Sequence, residues 1–570
     1  MELSALIECA RGDRPADLVL TNGHILNVFT GEFVSADLAI FQGRIAGIGD
    51  YKGRREVDLG GRCVAPGFID AHVHIESAMV SVSEFARSVL ARGTTTVVAD
   101  PHEIANVLGA AGIRYMLEAA RELPMDIRFT LSSCVPATDM ETAGARLEAT
   151  DLRPFWSEER IVALAEVMNF PGVIGADPSA LAKMADAIQH GKVIDGHSPG
   201  VTGKALNAYL AAGVASDHEC TAAAEALEKI AGGMAIMVRE GTGARNLDAL
   251  FPAITDETWR RMMWCTDDRH PADLLDLGGV DHIVRRAIQK GMDPVRALRM
   301  ATVNPARHFG FRDVGAIAPG RRADLVVFGD LHAPNAEQVY CAGVLAAENG
   351  APTDGISWPA AATPPGAMRV TPESVSFEIP AEGSRIRCIG IVPDQIVTTH
   401  EIVEAEVRDG LATAAPERDL LKLAVVERYT GKNGTGLGFV KGLGLRKGSL
   451  ASTVAHDSHN IVIAGTNDAD MKAALSAVVR MGGGMAVVAD GEVRAELPLP
   501  IAGLMAPAPM ETVRHKLDAL IAAARELGAP LHDPFMTLGF LALPVIPSLK
   551  LTDLGLVDVE GFARAGVFVG

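Results

Sequence analysis

Four histidines and two carboxylates stand where a protein could grip a pair of metal ions. The segment Asp70-Ala71-His72-Val73-His74 offers two imidazoles at alternate positions, and Glu166, His197, His218 and Asp267 follow far downstream. On an extended strand, residues i and i+2 project to the same side, so His72 and His74 can hold one cation between them. A carboxylate can give one oxygen to each of two ions, which suits Glu166 as the bridge. His197 and His218 then complete the second ion and Asp267 the first. Imidazoles combined with hard oxygens suit manganese, ferrous iron or zinc better than magnesium or calcium. A water shared by two such cations loses a proton near neutrality and becomes a nucleophile for an electrophilic carbon.

The elements that must position these residues are apolar runs. The runs are Val64–Ile69, Thr95–Ala99, Ile127–Leu131, Ile161–Val167, Val193–Asp195, Val214–Ser216, Met234–Val238 and Met263–Thr266, with helical stretches between them. Near-continuous apolar strands alternating with helices indicate a parallel sheet buried on both faces, and eight such units over roughly 250 residues suit a closed (β/α)8 barrel of the TIM type. In such barrels functional groups sit where strands end, and five of these runs end at the six residues above. The fold class is therefore α/β.

Ahead of the barrel, LVLTNGHILNV, DLAIFQGRIAGIG and REVDLGGRCVAPG alternate in short runs broken by turn residues, which predicts small antiparallel strands. Gly315–Phe328 returns to the same pattern after the eighth run. The expected organisation is a small β-sandwich built from both flanks, residues 1–62 and 313–355, around a barrel at 63–312. A stretch rich in Pro, Ala, Thr and Gly, Ala351–Met368, marks a linker, and 366–570 should form a separate α+β domain.

Composition narrows the class further. The 570 residues are 48% hydrophobic and 22% charged, as in ordinary globular proteins, and the formal charge of −19 disfavours a nucleic-acid or anionic-lipid surface. Seven scattered cysteines with no CxxC pair disfavour a disulfide framework or a structural zinc knuckle. Charged residues run through Met1–Leu20 and no long apolar stretch occurs, so neither a signal peptide nor a membrane span is expected and the reducing cytoplasm fits best.

The segment VAPGFIDAHVHIES (Val64–Ser77) resembles the PGxIDxHxH opening of the amidohydrolase superfamily. The likeness narrows with DPHEIANVLG, AEVMNFPGV, DGHSPG, SDHEC, MVREGT and CTDDRHP, and with VAHDSHNI and DPFMTLGFLALPVIPSLKLTDLGL near the end, all of which resemble the bacterial and archaeal adenine deaminases. That resemblance runs from about residue 17 to 570. It implies conversion of adenine to hypoxanthine and ammonia in purine salvage, a dinuclear site using manganese or iron, and a homo-oligomer such as a dimer. By position, it assigns His72, His74 and Asp267 to one metal, His197 and His218 to the other, and Glu166 to both.

Attack at C6 of adenine makes a tetrahedral centre whose amino group must leave as ammonia. Asp267 can take the proton of the attacking water and pass it to that nitrogen. N1 needs a proton as well, for which His102 and Glu103 are candidates, although both could equally cap a helix after the second strand. Asp268 and Arg239 are the expected substrate contacts, with Asp268 alternatively orienting Arg269 or His270. His456 and His459 either bind a third ion, approach the site or belong to a polar loop with Asp457 and Asn460, and they stay outside the metal set. Two rival functions remain: another amidohydrolase activity, on guanine, an N6-substituted adenine or a cyclic amide, and a non-catalytic assembly protein on the same fold.

Overall fold

A computed structural model describes residues 3–393 and 395–569. At its centre, Phe68–Val73, Thr94–Ala99, Asp126–Leu131, Ile161–Val167 and Val193–Gly196 pair in parallel and in sequence order, and Ser216–Asp217, Ala235–Arg239 and Met262–Cys265 continue likewise. Two backbone seams close the ring. Ala215 N–H donates to Ile194 at 2.9 Å, and Asp267 N–H donates to His72 at 3.0 Å. Gly196 makes the first seam possible, because a Cβ there would come within 2.3 Å of the Ser216 carbonyl.

The first apolar run differs from expectation. Instead of one barrel strand at Val64–Ile69, the chain forms Cys63–Pro66 in one sheet and Phe68–Val73 in another. The break falls at Gly67, whose hydrogen lies against Thr95 where a Cβ would meet the hydroxyl at 2.0 Å. The strand register that follows puts Asp70, His72 and His74 in alternation.

Cys63–Pro66 belongs to a nine-stranded sheet with Leu18–Asn27, Glu32–Phe41, Arg44–Ile48, Glu56–Asp58, Leu325–Phe328, Gln338–Cys341, Val344–Glu348 and Ala351–Pro352. Segments from before and after the barrel thus share one sheet, joined where Cys63–Pro66 runs antiparallel to Leu325–Phe328. The sheet is mixed rather than purely antiparallel, since Leu18–Asn27 takes both Glu56–Asp58 and Cys63–Pro66 in parallel. It curls around Leu20, Leu38, Ile45, Val64 and Val327.

The C-terminal region carries an eight-stranded sheet. In its strand Leu421–Val426, Ala424 and Val426 pack under the helix Asp468–Arg480, whereas Leu423 and Val425 face a core with helices Met510–Glu526 and Pro534–Phe540. Alternation of period two thus buries both faces. That second core continues into Val82, Phe85 and Val89 of the first barrel helix. Apolar faces on both partners merge, as burial of that area favours. No helix among the described residues is long and apolar enough to cross a membrane.

Candidate metal centre and substrate pocket

The first strand sets its polar residues in a column. Asp70, deepest, accepts Thr266 N–H at 3.0 Å and the Thr266 hydroxyl at 2.5 Å. Burial pushes its carboxyl up to about 6 against those donors. Above it, His72 Nε2 and His74 Nε2 stand 3.1 Å apart. Their Nδ1 atoms are occupied elsewhere, His72 by Asp195 Oδ2 at 3.2 Å and His74 by the Asp100 carbonyl at 3.1 Å. The two Nε2 atoms face Asp267 Oδ1 at 3.6 and 3.0 Å and Glu166 Oε1 at 3.7 and 3.2 Å.

Glu166 lies in the fourth strand and turns its other oxygen the opposite way. Glu166 Oε2 meets His197 Nδ1 at 2.6 Å and His218 Nε2 at 3.2 Å. One carboxylate therefore separates two imidazole pairs, with one oxygen toward each. His218 Nδ1 is buried and finds no hydrogen-bond partner among the described residues.

Asp267 follows the eighth strand with φ of 55°, a left-handed backbone that few non-glycine residues adopt. The turn sends Oδ1 toward the first imidazole pair while Oδ2 accepts from Arg239 Nη1 at 2.7 Å. Arg239, expected to touch substrate, borders the pocket, but its donors are engaged by Asp267, by Glu219 and by Asn246 Oδ1 at 3.2 Å. Asp268 also borders the pocket and accepts a hydrogen bond from Ser77 Oγ.

His102 and Glu103 open the helix His102–Leu108 and are buried. His102 Nδ1 lies 3.1 Å from Asp100 Oδ2 and 3.4 Å from Glu166 Oε1, while the first-turn N–H groups of His102 and Ile104 donate to Asp100 Oδ1 and Glu76 Oε1, each at 3.1 Å. Glu103 joins the barrel to the C-terminal region: its carboxylate meets His456 Nδ1 at 2.7 Å and His459 Nε2. Those two histidines thus approach the site, and His456 and Asp457 line the pocket. Their pairing with an acid 353 and 356 residues away leaves no local signal in the sequence.

Facing this polar floor is an apolar roof of Ile396, Met536, Phe540, Leu543, Val545 and Ile546, all from the C-terminal region. Lys550, fully buried, clasps two roof segments by donating to the carbonyls of Ile396 at 2.8 Å and Phe540 at 2.9 Å. Among the described residues no carboxylate pairs with it, and burial pushes the ammonium down to about 7.

The donor set fits divalent cations. A nitrogen–nitrogen distance of 3.1 Å is the edge expected of a coordination polyhedron with metal–nitrogen bonds of about 2.1 Å. The tethering of His72 and His74 through their other ring nitrogens is the arrangement of metal-ligating imidazoles. Burial opposes ionisation of Glu166, yet His218, His197 and His74 hold its carboxyl well below the usual range. Asp267 is likewise held low against burial by Arg239 and His74. Protons shared between these acids and imidazoles are those a bound cation displaces.

Residues 63–346 match the model of the amidohydrolase family, and residues 395–563 match that of the adenine deaminase C-terminal domain. An adenine deaminase of Desulfatibacillum aliphaticivorans is 53% identical over 99% of this chain and 99% of its own. Adenine deaminase 2 of Carboxydothermus hydrogenoformans is 50% identical over 98% of each chain. An adenine deaminase of Methanothrix thermoacetophila is 46% identical over the full length of both. With both halves of the pocket matched by their own family model and end-to-end identity of this order, the chain belongs to the adenine deaminase family of the amidohydrolases.

Proposed function

We propose that this chain hydrolyses adenine to hypoxanthine and ammonia with two divalent cations, manganese, iron or zinc, in its pocket. The observation that carries the proposal is the joining of a two-sided carboxylate–imidazole cluster in the barrel to an apolar roof from the adenine deaminase-type C-terminal region. His72, His74 and Asp267 would hold one cation, His197 and His218 the other, and Glu166 would reach both. Such ions, when bound, supply Lewis acidity that makes water acidic enough to attack at neutral pH.

The chain's own residues do the rest. Met536, Phe540 and Leu543 cover the flat ring and exclude water. Asp267, anchored through Oδ2 by Arg239, accepts the proton of the attacking water at its carboxylate and delivers it to the departing amino nitrogen. Glu103, flanked by His102, His456 and His459, is the group placed to exchange a proton with a ring nitrogen. Asp268 supplies an acceptor to the ring edge. The test is ammonia release from adenine, adenosine, guanine, an N6-substituted adenine and a cyclic amide, with protein loaded in turn with manganese, iron and zinc. Adenine should be preferred throughout; a clear preference for guanine, or equal rates on adenosine, would overturn the assignment.

A further inference from the structure

The two imidazole pairs are built differently. His72 and His74 lie two residues apart in one continuous stretch, so backbone geometry alone fixes their spacing. His197 and His218 follow the fifth and sixth strands, on separate loops. Something must tie those loops together if both are to meet one oxygen of Glu166.

Beneath them lies Lys229, fully buried on the helix Ala223–Ala231. Its ammonium donates to the Ser198 carbonyl at 2.7 Å, to Asp217 Oδ2 at 2.9 Å and to Glu225 Oε1 at 2.7 Å. Ser198 follows His197 directly, and Asp217 directly precedes His218. The other oxygen of Asp217 crosses back to accept Ser198 N–H at 2.8 Å and its hydroxyl at 3.2 Å. Glu225 extends the knot by accepting Gly200 N–H at 2.8 Å and Thr221 N–H at 3.2 Å, one on each loop. All three ammonium protons have acceptors, so this charge is paired and directional rather than merely tolerated.

We infer that Lys229 is a positioning residue that sets the spacing of His197 and His218 and thereby the affinity for the second cation alone. The inference rests on the dinuclear reading above. Outer-shell partners of this kind typically change metal affinity by about 10–100-fold when removed. A shorter hydrophobe would leave Asp217 and Glu225 without their counter-charge and the loops without their common anchor.

The test is chelator competition on manganese-loaded full-length protein, with metal content read by elemental analysis. Wild type should retain two equivalents. Lys229→Met should release one equivalent at about 10–100-fold lower chelator strength and hold the other as wild type does. Asp217→Asn keeps the lysine and the shape of the loop, and it should weaken the same single equivalent, which covers the case in which Lys229→Met fails to fold. Equal weakening of both ions in a folded variant, or no weakening, would overturn the inference. Wild-type protein that never exceeds one equivalent would instead overturn the dinuclear site itself.

Discussion

His72 and His74 owe their mutual placement to covalent geometry, whereas His197 and His218 owe theirs to a buried polar knot. A strand is rigid without assistance because its neighbours hold every second peptide. Loops have no ladder, and their precision must come from side chains that cross between them. The barrel therefore reaches the same local chemistry by two routes, one in which the strand sets the spacing while Asp195 and the Asp100 carbonyl hold the ring nitrogens, and one that depends on Lys229, Asp217 and Glu225 remaining paired.

Substitution of Asp267 should have the largest effect on catalysis and little on either half's structure. Asp267→Asn keeps an oxygen for the first cation but cannot accept a proton, so kcat should fall by about 10²–10⁴-fold in metal-replete protein. Measuring kcat beside metal content separates the two duties, and near-normal turnover would assign the proton to another group. Asp195→Asn sharpens the contrast between the halves. It weakens the acceptor on His72 Nδ1, so the first cation should loosen by about 10–100-fold, the opposite selectivity to Lys229→Met. If both variants release the same equivalent in chelator competition, the division into two independently braced halves is false.

The roof should respond most mildly. Lys550→Met unties Ile396 from Phe540 and should raise KM for adenine severalfold with little change in kcat, while Lys550→Arg should restore part of the loss. Its pH signature has a definite sign. The folded-state value near 7 lies below the ordinary 10.5, so between those values the unfolded chain binds more protons and stability rises with pH. Wild type should therefore gain stability relative to Lys550→Met from about pH 7 to 10.5, measurable as urea midpoints at the two ends.

The candidate ligands were legible because each lies in or just after an apolar run, and a barrel places strand ends on one rim. His72 and His74 are visible as a pair because their spacing matches the strand period. The split of the first run at Gly67 was not legible, since it depends on how closely Thr95 approaches. Equally hidden were the groups behind the ligands. Asp195 and Asp217 gain their roles only when folding brings His72 and Lys229 against them. Arg239 looked available to substrate, yet its partners Glu219 and Asp267 come from neighbouring strands. The meeting of Glu103 with His456 and His459 depends on docking of the C-terminal region, which no local pattern encodes.

The register of the small sheet has a consequence for how the chain is made. Pro66 sits opposite Leu325, so the polypeptide leaves that sheet and rejoins it at neighbouring points, with the entire barrel between. During synthesis the strand Cys63–Pro66 emerges early and lacks its antiparallel neighbour on that side until the ribosome has passed Leu325. Through all that interval the nascent protein carries an open sheet edge, the feature most prone to pair with another chain. That edge is capped only by Leu325–Phe328, which the chain reaches after the last barrel strand, Met262–Cys265, has been made.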